Sequence, residues 1–221
     1  MAIGRGVHGK FPAIATLTST SSAVTTTNGS AFVIGVVDAG PASSVTDSKG
    51  NTYSKCAPDR TVGGVIIGLW RSTTWVGGAS HTFSVNFGGS ADPSCFYAEI
   101  TGTNPVLDQS DSILDNVSPF TSPVINTTAA DEVLISLYGC DGGLGSPAES
   151  TGFNQIDFED NNSLYWTGAM GSRIVSATGA YNASWTSGVP ATNNGVFIAS
   201  FKESGGGGGG SSLLSKMRRY L

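Results

Sequence analysis

Apolar and polar residues alternate with a period of two over short stretches of this chain, and turn-forming residues break the stretches at close intervals. That pattern predicts strands at Phe11–Leu17, Ala31–Val37, Thr52–Cys56, Val65–Trp70, His81–Phe87 and Phe96–Thr101. It predicts six more at Val133–Tyr138, Phe153–Phe158, Ser163–Ala169, Ile174–Ala177, Tyr181–Trp185 and Val196–Lys202. Asp47-Ser-Lys-Gly-Asn51, Gly77-Gly78, Gly88-Gly89, Gly142-Gly143 and Asn161-Asn162 are the turns between them.

The strands repeat. FVIGVVDAG, VTDSKGNTY, GVIIGLW, HTFSVNF and FYAEITG are followed in the same order by VLISLYGCDGG, FNQIDFEDN, SLYWTG, YNASWTS and FIASFKE. Phe32 precedes Val133 by 101 residues, His81 precedes Tyr181 by 100 and Phe96 precedes Phe197 by 101, so the halves 31–103 and 129–203 carry one pattern twice. Trp70 and Trp166 then fall at matching places. About five strands per half are few to close a sandwich. The expectation is one jelly-roll-like antiparallel β-sandwich, 31–203, whose halves interlock, with 104–128 as a long crossover and 1–30 as a leader with a first strand. Two tandem domains are the alternative.

Thirty-one glycines and few helix formers agree with an all-β chain until residue 204. Residues 204–210 are a glycine linker. Beyond it, Leu213, Leu214, Met217 and Leu221 fall on one stripe of a short helix that Ser211 or Ser212 would cap, and Lys216, Arg218, Arg219 and Tyr220 complete the segment. The body has eight basic and sixteen acidic residues, a balance of −8 against +3 on this tail, which argues against a nucleic-acid partner. Neither an apolar signal core nor a membrane-spanning run is present, so no membrane partner is expected. A surface rich in Ser, Thr, Asn and Gly but lacking an export signal suits a virion protein, assembled in the host cytoplasm and released by lysis.

Candidate chemistry is sparse. Only His8 and His81 could serve as imidazole bases, no G-x-S-x-G elbow occurs, and the glycine run has no phosphate-binding Lys-Ser/Thr after it. Glu99 with Asp157 or Glu159 is a conceivable glycosidase pair, but each reads first as a strand or turn carboxylate. Asp157, Glu159 and Asp160 border a turn without the spacing of a calcium loop, so neither metal nor cofactor is expected. Cys56, Cys95 and Cys140 are odd in number and far apart, which reads as buried thiols. Trp70, Trp75, Tyr165, Trp166 and Trp185 read first as packing residues and second as platforms for glycan stacking.

VTDSKGNTY (45–53), GLW (68–70), HTFSVNF (81–87), FYAEITG (96–102) and FIASFK (197–202) together resemble β-sandwich modules of bacterial surface proteins and tailed-phage virion proteins. The resemblance implies a surface-exposed, non-catalytic module for decoration, display or adhesion. The expectation is therefore a structural virion protein, a capsid decoration or tail component, anchored by 211–221 to other virion proteins or to copies of itself. The alternative is a carbohydrate- or receptor-binding module on a host-surface glycan.

Overall fold

The computed structural model describes residues 2–12, 17–89, 92–141, 147–160, 166–187 and 192–205, and among them every regular element is a strand. The first half holds β1 (Gly4–Lys10), β2 (Thr18–Thr20), β3 (Val24–Thr26), β4 (Ala31–Asp38), β5 (Ala42–Asp47) and β6 (Tyr53–Lys55). It continues with β7 (Arg60–Val62), β8 (Val65–Ser72), β9 (Gly78–His81), β10 (Phe83–Phe87) and β11 (Ser94–Thr101). The second half holds β12 (Val106–Leu114), β13 (Phe120–Thr121), β14 (Ile125–Asn126), β15 (Glu132–Asp141) and β16 (Ala148–Glu149). Then come β17 (Asn154–Asp160), β18 (Trp166–Val175), β19 (Ala180–Tyr181), β20 (Ser184–Thr186) and β21 (Thr192–Lys202).

All pairing is antiparallel, and the sheets of the two halves have the same order. A large sheet β1-β11-β4-β8-β6, with β7 also on β8, corresponds to β12-β21-β15-β18-β17. Small sheets β2-β10-β5 and β3-β9 correspond to β13-β20-β16 and β14-β19. Hydrogen bonds outside the ladders repeat as well. Ser21 and Ser122 each bond the facing strand through N–H and Oγ, to Phe83 and Ala183 respectively. Thr26 clasps both polar backbone groups of Gly78 with its hydroxyl, as Thr127 does those of Gly179.

The sheets stack in four layers. In each half the small sheets cover one face of the large sheet. Phe32, Ile34 and Val36 of β4 meet Phe83, Val85 and Phe87 of β10, and Tyr138 and Cys140 of β15 meet Trp185 of β20. The remaining faces of the two large sheets pack on each other, with Val33, Val37, Ile67, Leu69 and Phe96 against Ile135, Leu137, Met170, Phe197 and Ala199. β4 is therefore buried at all eight positions, which explains its unbroken apolar run.

Contacts across the middle come in exchanged pairs: β1 with β17 and β12 with β7, β4 with β18 and β15 with β8, β11 with β18 and β21 with β8. This is the pattern of an isologous, two-fold interface within one chain. On the axis, large meets small. A Cβ on Gly35 would come within 2.8 Å of Leu137, and one on Gly139 within 2.8 Å of Val37.

Several expectations need correction. The halves abut through their large sheets instead of interlocking, since among the described residues no strand of one pairs with a strand of the other, and the first carries eleven strands and the second ten, not about five each. The supposed crossover contains β12, β13 and β14, and the supposed leader contains β1, β2 and β3. Of the first strand expected at Phe11–Leu17, residues 13–16 lie outside the described residues, and the pairing strand is Gly4–Lys10. Glycines hide its alternation: Glu99 and Tyr97 lie where side chains on Gly6 and Gly9 would stand. Trp70 and Trp166 are on corresponding strands but not at corresponding places. Trp70 lies opposite Ile34, whereas Gly171 holds the matching position opposite Ser136. Gly171 leaves room for Trp185, whose ring a Cβ there would approach to 3.3 Å.

Candidate functional site

The turn after β5 is built around one carboxylate. Asp47 Oδ1 accepts the backbone N–H groups of Lys49 and Asn51, and Oδ2 accepts Asn51 Nδ2 at 2.7 Å and the Tyr53 hydroxyl at 2.7 Å. His81 Nε2 stands 3.0 Å from Oδ2, close but off the hydrogen-bond line, and both side chains are 0% exposed. Burial works against the charged carboxyl, yet His81, Asn51 and Tyr53 outweigh it and hold Asp47 well below the usual range. Burial and the adjacent Asp47 charge push the Tyr53 hydroxyl upward. The motifs VTDSKGNTY and HTFSVNF thus lock to each other at this point.

On the other side of His81, Nδ1 lies 2.8 Å from Thr26 Oγ1. Thr26, His81 and Asp47 form a hydroxyl, imidazole and carboxylate in series, the arrangement that activates a nucleophile in hydrolases. Three observations make it a structural clamp. Imidazole and carboxylate have no exposed surface. The Thr26 hydroxyl is engaged by Gly78. Thr127 makes the same clasp on Gly179 in the second half, where Tyr181 follows on β19 as His81 ends β9, so the clasp does not require an imidazole. Glu149 there copies Asp47, accepting the N–H groups of Thr151 and Phe153.

Glu99 is equally committed. Oε1 accepts Thr27 N at 2.6 Å and Oε2 accepts Val7 N at 3.0 Å, filling the bulge of β1 between Arg5 and His8. Its suggested partners have other roles: Asp157 accepts the N–H of Phe158, and Glu159 pairs with Lys10 at 2.8 Å. In the second half Ser200 is at the matching place on β21, and the carboxylate comes from Glu132 on β15 instead. Glu132 Oε1 accepts Thr128 N and Ala129 N, while Oε2 is buried and makes no hydrogen bond among the described residues. Asp108, in the bulge of β12, accepts Thr128 N and Lys202 Nζ, the latter at 2.6 Å. Burial, and then the neighbouring Asp108 charge, push Glu132 upward; Asp108 is held low against burial by Lys202 and Thr128.

The aromatic candidates separate. Trp185 is fully buried and donates Nε1 to Ser136 Oγ at 2.9 Å, which removes it from any glycan surface. Trp75 donates to Pro105 O at 2.9 Å and, like Trp166, packs on the central core. Trp70 is half-buried, with Lys55 Nζ 5.1 Å from its ring centroid. Tyr165 and all of 211–221, including Leu213, Leu214, Lys216, Met217, Arg218, Arg219, Tyr220 and Leu221, lie outside the described residues. The three cysteines are buried and none is in a disulfide; burial pushes Cys56 up to about 12 and Cys95 well above the usual thiol range. No three metal-ligating side chains come together among the described residues.

What remains is a surface with direction. Gly4 lies opposite Thr101, Thr103 N donates to Glu203 Oε1, and Ser204 Oγ donates to Thr103 O. The described chain thus enters and leaves at one end of the stacked sheets. At the other end β12 finishes opposite Gly195, where Ile113 (40%), Leu114 (40%) and Val117 (73%) are exposed beside Asp111 and Asp115. This apolar edge was not readable in advance because the segment lacked a strand pattern. Compared with known proteins, the chain matches no family model, no curated protein and no solved structure.

Proposed function

We propose that this chain is a non-enzymatic structural virion protein, a capsid decoration or tail component displayed on the particle surface and anchored through residues 211–221. One observation carries the reading: the linker departs from Gly205 at the same end as Gly4, so a partner held by the tail sits beyond that end and the opposite end points away. The clamped carboxylates support a non-catalytic role, since Asp47 and Glu99 spend their acceptor capacity on backbone N–H groups and neighbouring side chains. The matched halves support descent from one duplicated sandwich unit. The adhesion alternative draws less support, because Trp75, Trp166 and Trp185 are packing residues.

The test is deletion of 211–221 in the setting of the assembling particle. Incorporation should be lost while the sandwich keeps its β-type circular dichroism and melting temperature. Unchanged incorporation would overturn the reading.

A further inference from the structure

Three hydrophobic side chains stand exposed where β12 ends: Ile113, Leu114 and Val117, flanked by Asp111 and Asp115. They lie along the outer edge of the large sheet, since among the described residues β21 is the only strand that pairs with β12. Up to Ser112 the other half covers that edge, with Arg60 Nε and Nη2 on Ser112 Oγ and O at 2.8 Å. Beyond Ser112 the three apolar groups are left uncovered, beside Asp111, which accepts the Ser112 N–H, and Asp115, which accepts those of Val117 and Thr121.

The tail has the complementary chemistry, Leu213, Leu214 and Met217 interleaved with Lys216, Arg218 and Arg219. Resting on the tail-anchored reading above, we propose that the tail's acceptor is the Asp111–Val117 edge of a second copy of this chain. Reach decides between the same copy and another. β12 runs from Val106, beside Lys202, to Leu114, a span of about 26 Å at strand rise. The linker from Gly205 to Leu213 covers that only when fully extended, whereas its root-mean-square reach is about 16 Å. A neighbouring copy, end to end, meets the tail without such stretching. Tail and acceptor are different surfaces at opposite ends, so the contact is heterologous and builds rings or filaments.

Sedimentation of full-length chains tests this. The wild type should associate with rising concentration, and more weakly as salt rises. A patch variant, Leu114→Lys with Val117→Lys, and a tail variant, Leu214→Asp with Met217→Asp, should each be monomeric. Mixed together they should form a single junction, intact tail on intact patch. Val117→Lys alone, at the most exposed position, should weaken association at least about tenfold without touching the fold. Association of the patch variant at wild-type strength would overturn the proposal. So would a wild type that stays monomeric although deleting the tail blocks incorporation, which leaves the anchoring reading standing with another acceptor. Persistent association with unchanged incorporation after tail deletion would sink the anchoring role and the tail's part in self-association together.

Discussion

Asp47 gathers four hydrogen bonds and a neighbouring imidazole into a site without solvent, and its loss has a definite signature. Asp47→Asn should cost about 2–4 kcal/mol, because backbone and side-chain donors then face a group that is itself partly a donor. Since the folded carboxyl ionises below its ordinary 3.8, its contribution is complete above that pH and is lost as pH falls below it. Glu132 has the opposite sign: raised above its ordinary 4.5, it contributes at low pH and loses that contribution as pH rises through its folded value. Melting temperature against pH should therefore lose part of its acid slope in Asp47→Asn, Asp108 supplying the remainder, and part of its higher-pH slope in Glu132→Gln. The sequence shows Asp47 as a turn residue and His81 as a strand residue, and both are. Their meeting is not legible, because the two are 34 positions apart and no local pattern encodes that contact.

Strands buried on both faces were the easiest elements to read. β4 and β15 appear as continuous apolar runs because small sheets cover one side and the partner half the other. β1 and β12 were missed for physical reasons: glycines in one make room for Glu99 and Tyr97, and Asp108, Gln109, Ser110 and Asp111 in the other belong to a bulged edge. The pairing of the large sheets depends on size alternation that periodicity cannot reveal. Gly35→Val should lower the urea midpoint, costing about 1–3 kcal/mol, because its Cβ would fall 2.7 Å from Met170 Cε. Exchanging the on-axis pair, Gly35→Leu with Leu137→Gly, should be milder than Gly35→Leu alone. A double variant no better than that single would show that the fit is not a matter of local volume.

At the scale of the molecule, the internal two-fold has a consequence for synthesis on the ribosome. The first sandwich is complete once β11 ends at Thr101, because every partner of β1 to β10 has by then been made. One face of its large sheet, carrying Val33, Val37, Ile67, Leu69 and Phe96, then waits for β15, β18 and β21. At about 5–20 residues per second that wait lasts about 5–20 seconds, during which a neighbouring nascent chain offers an equally apolar face. Two first halves would place Gly35 on Gly35 and Val37 on Val37, leaving a gap beside a crowded contact where the native pairing has each small residue against a large one. The alternation thereby favours the growing chain's own second half over its neighbour's first. A chain ending at residue 103 should consequently emerge as loosely associated, dye-binding material, and supplying residues 104–205 separately should convert it into a discrete one-to-one complex, visible by light scattering.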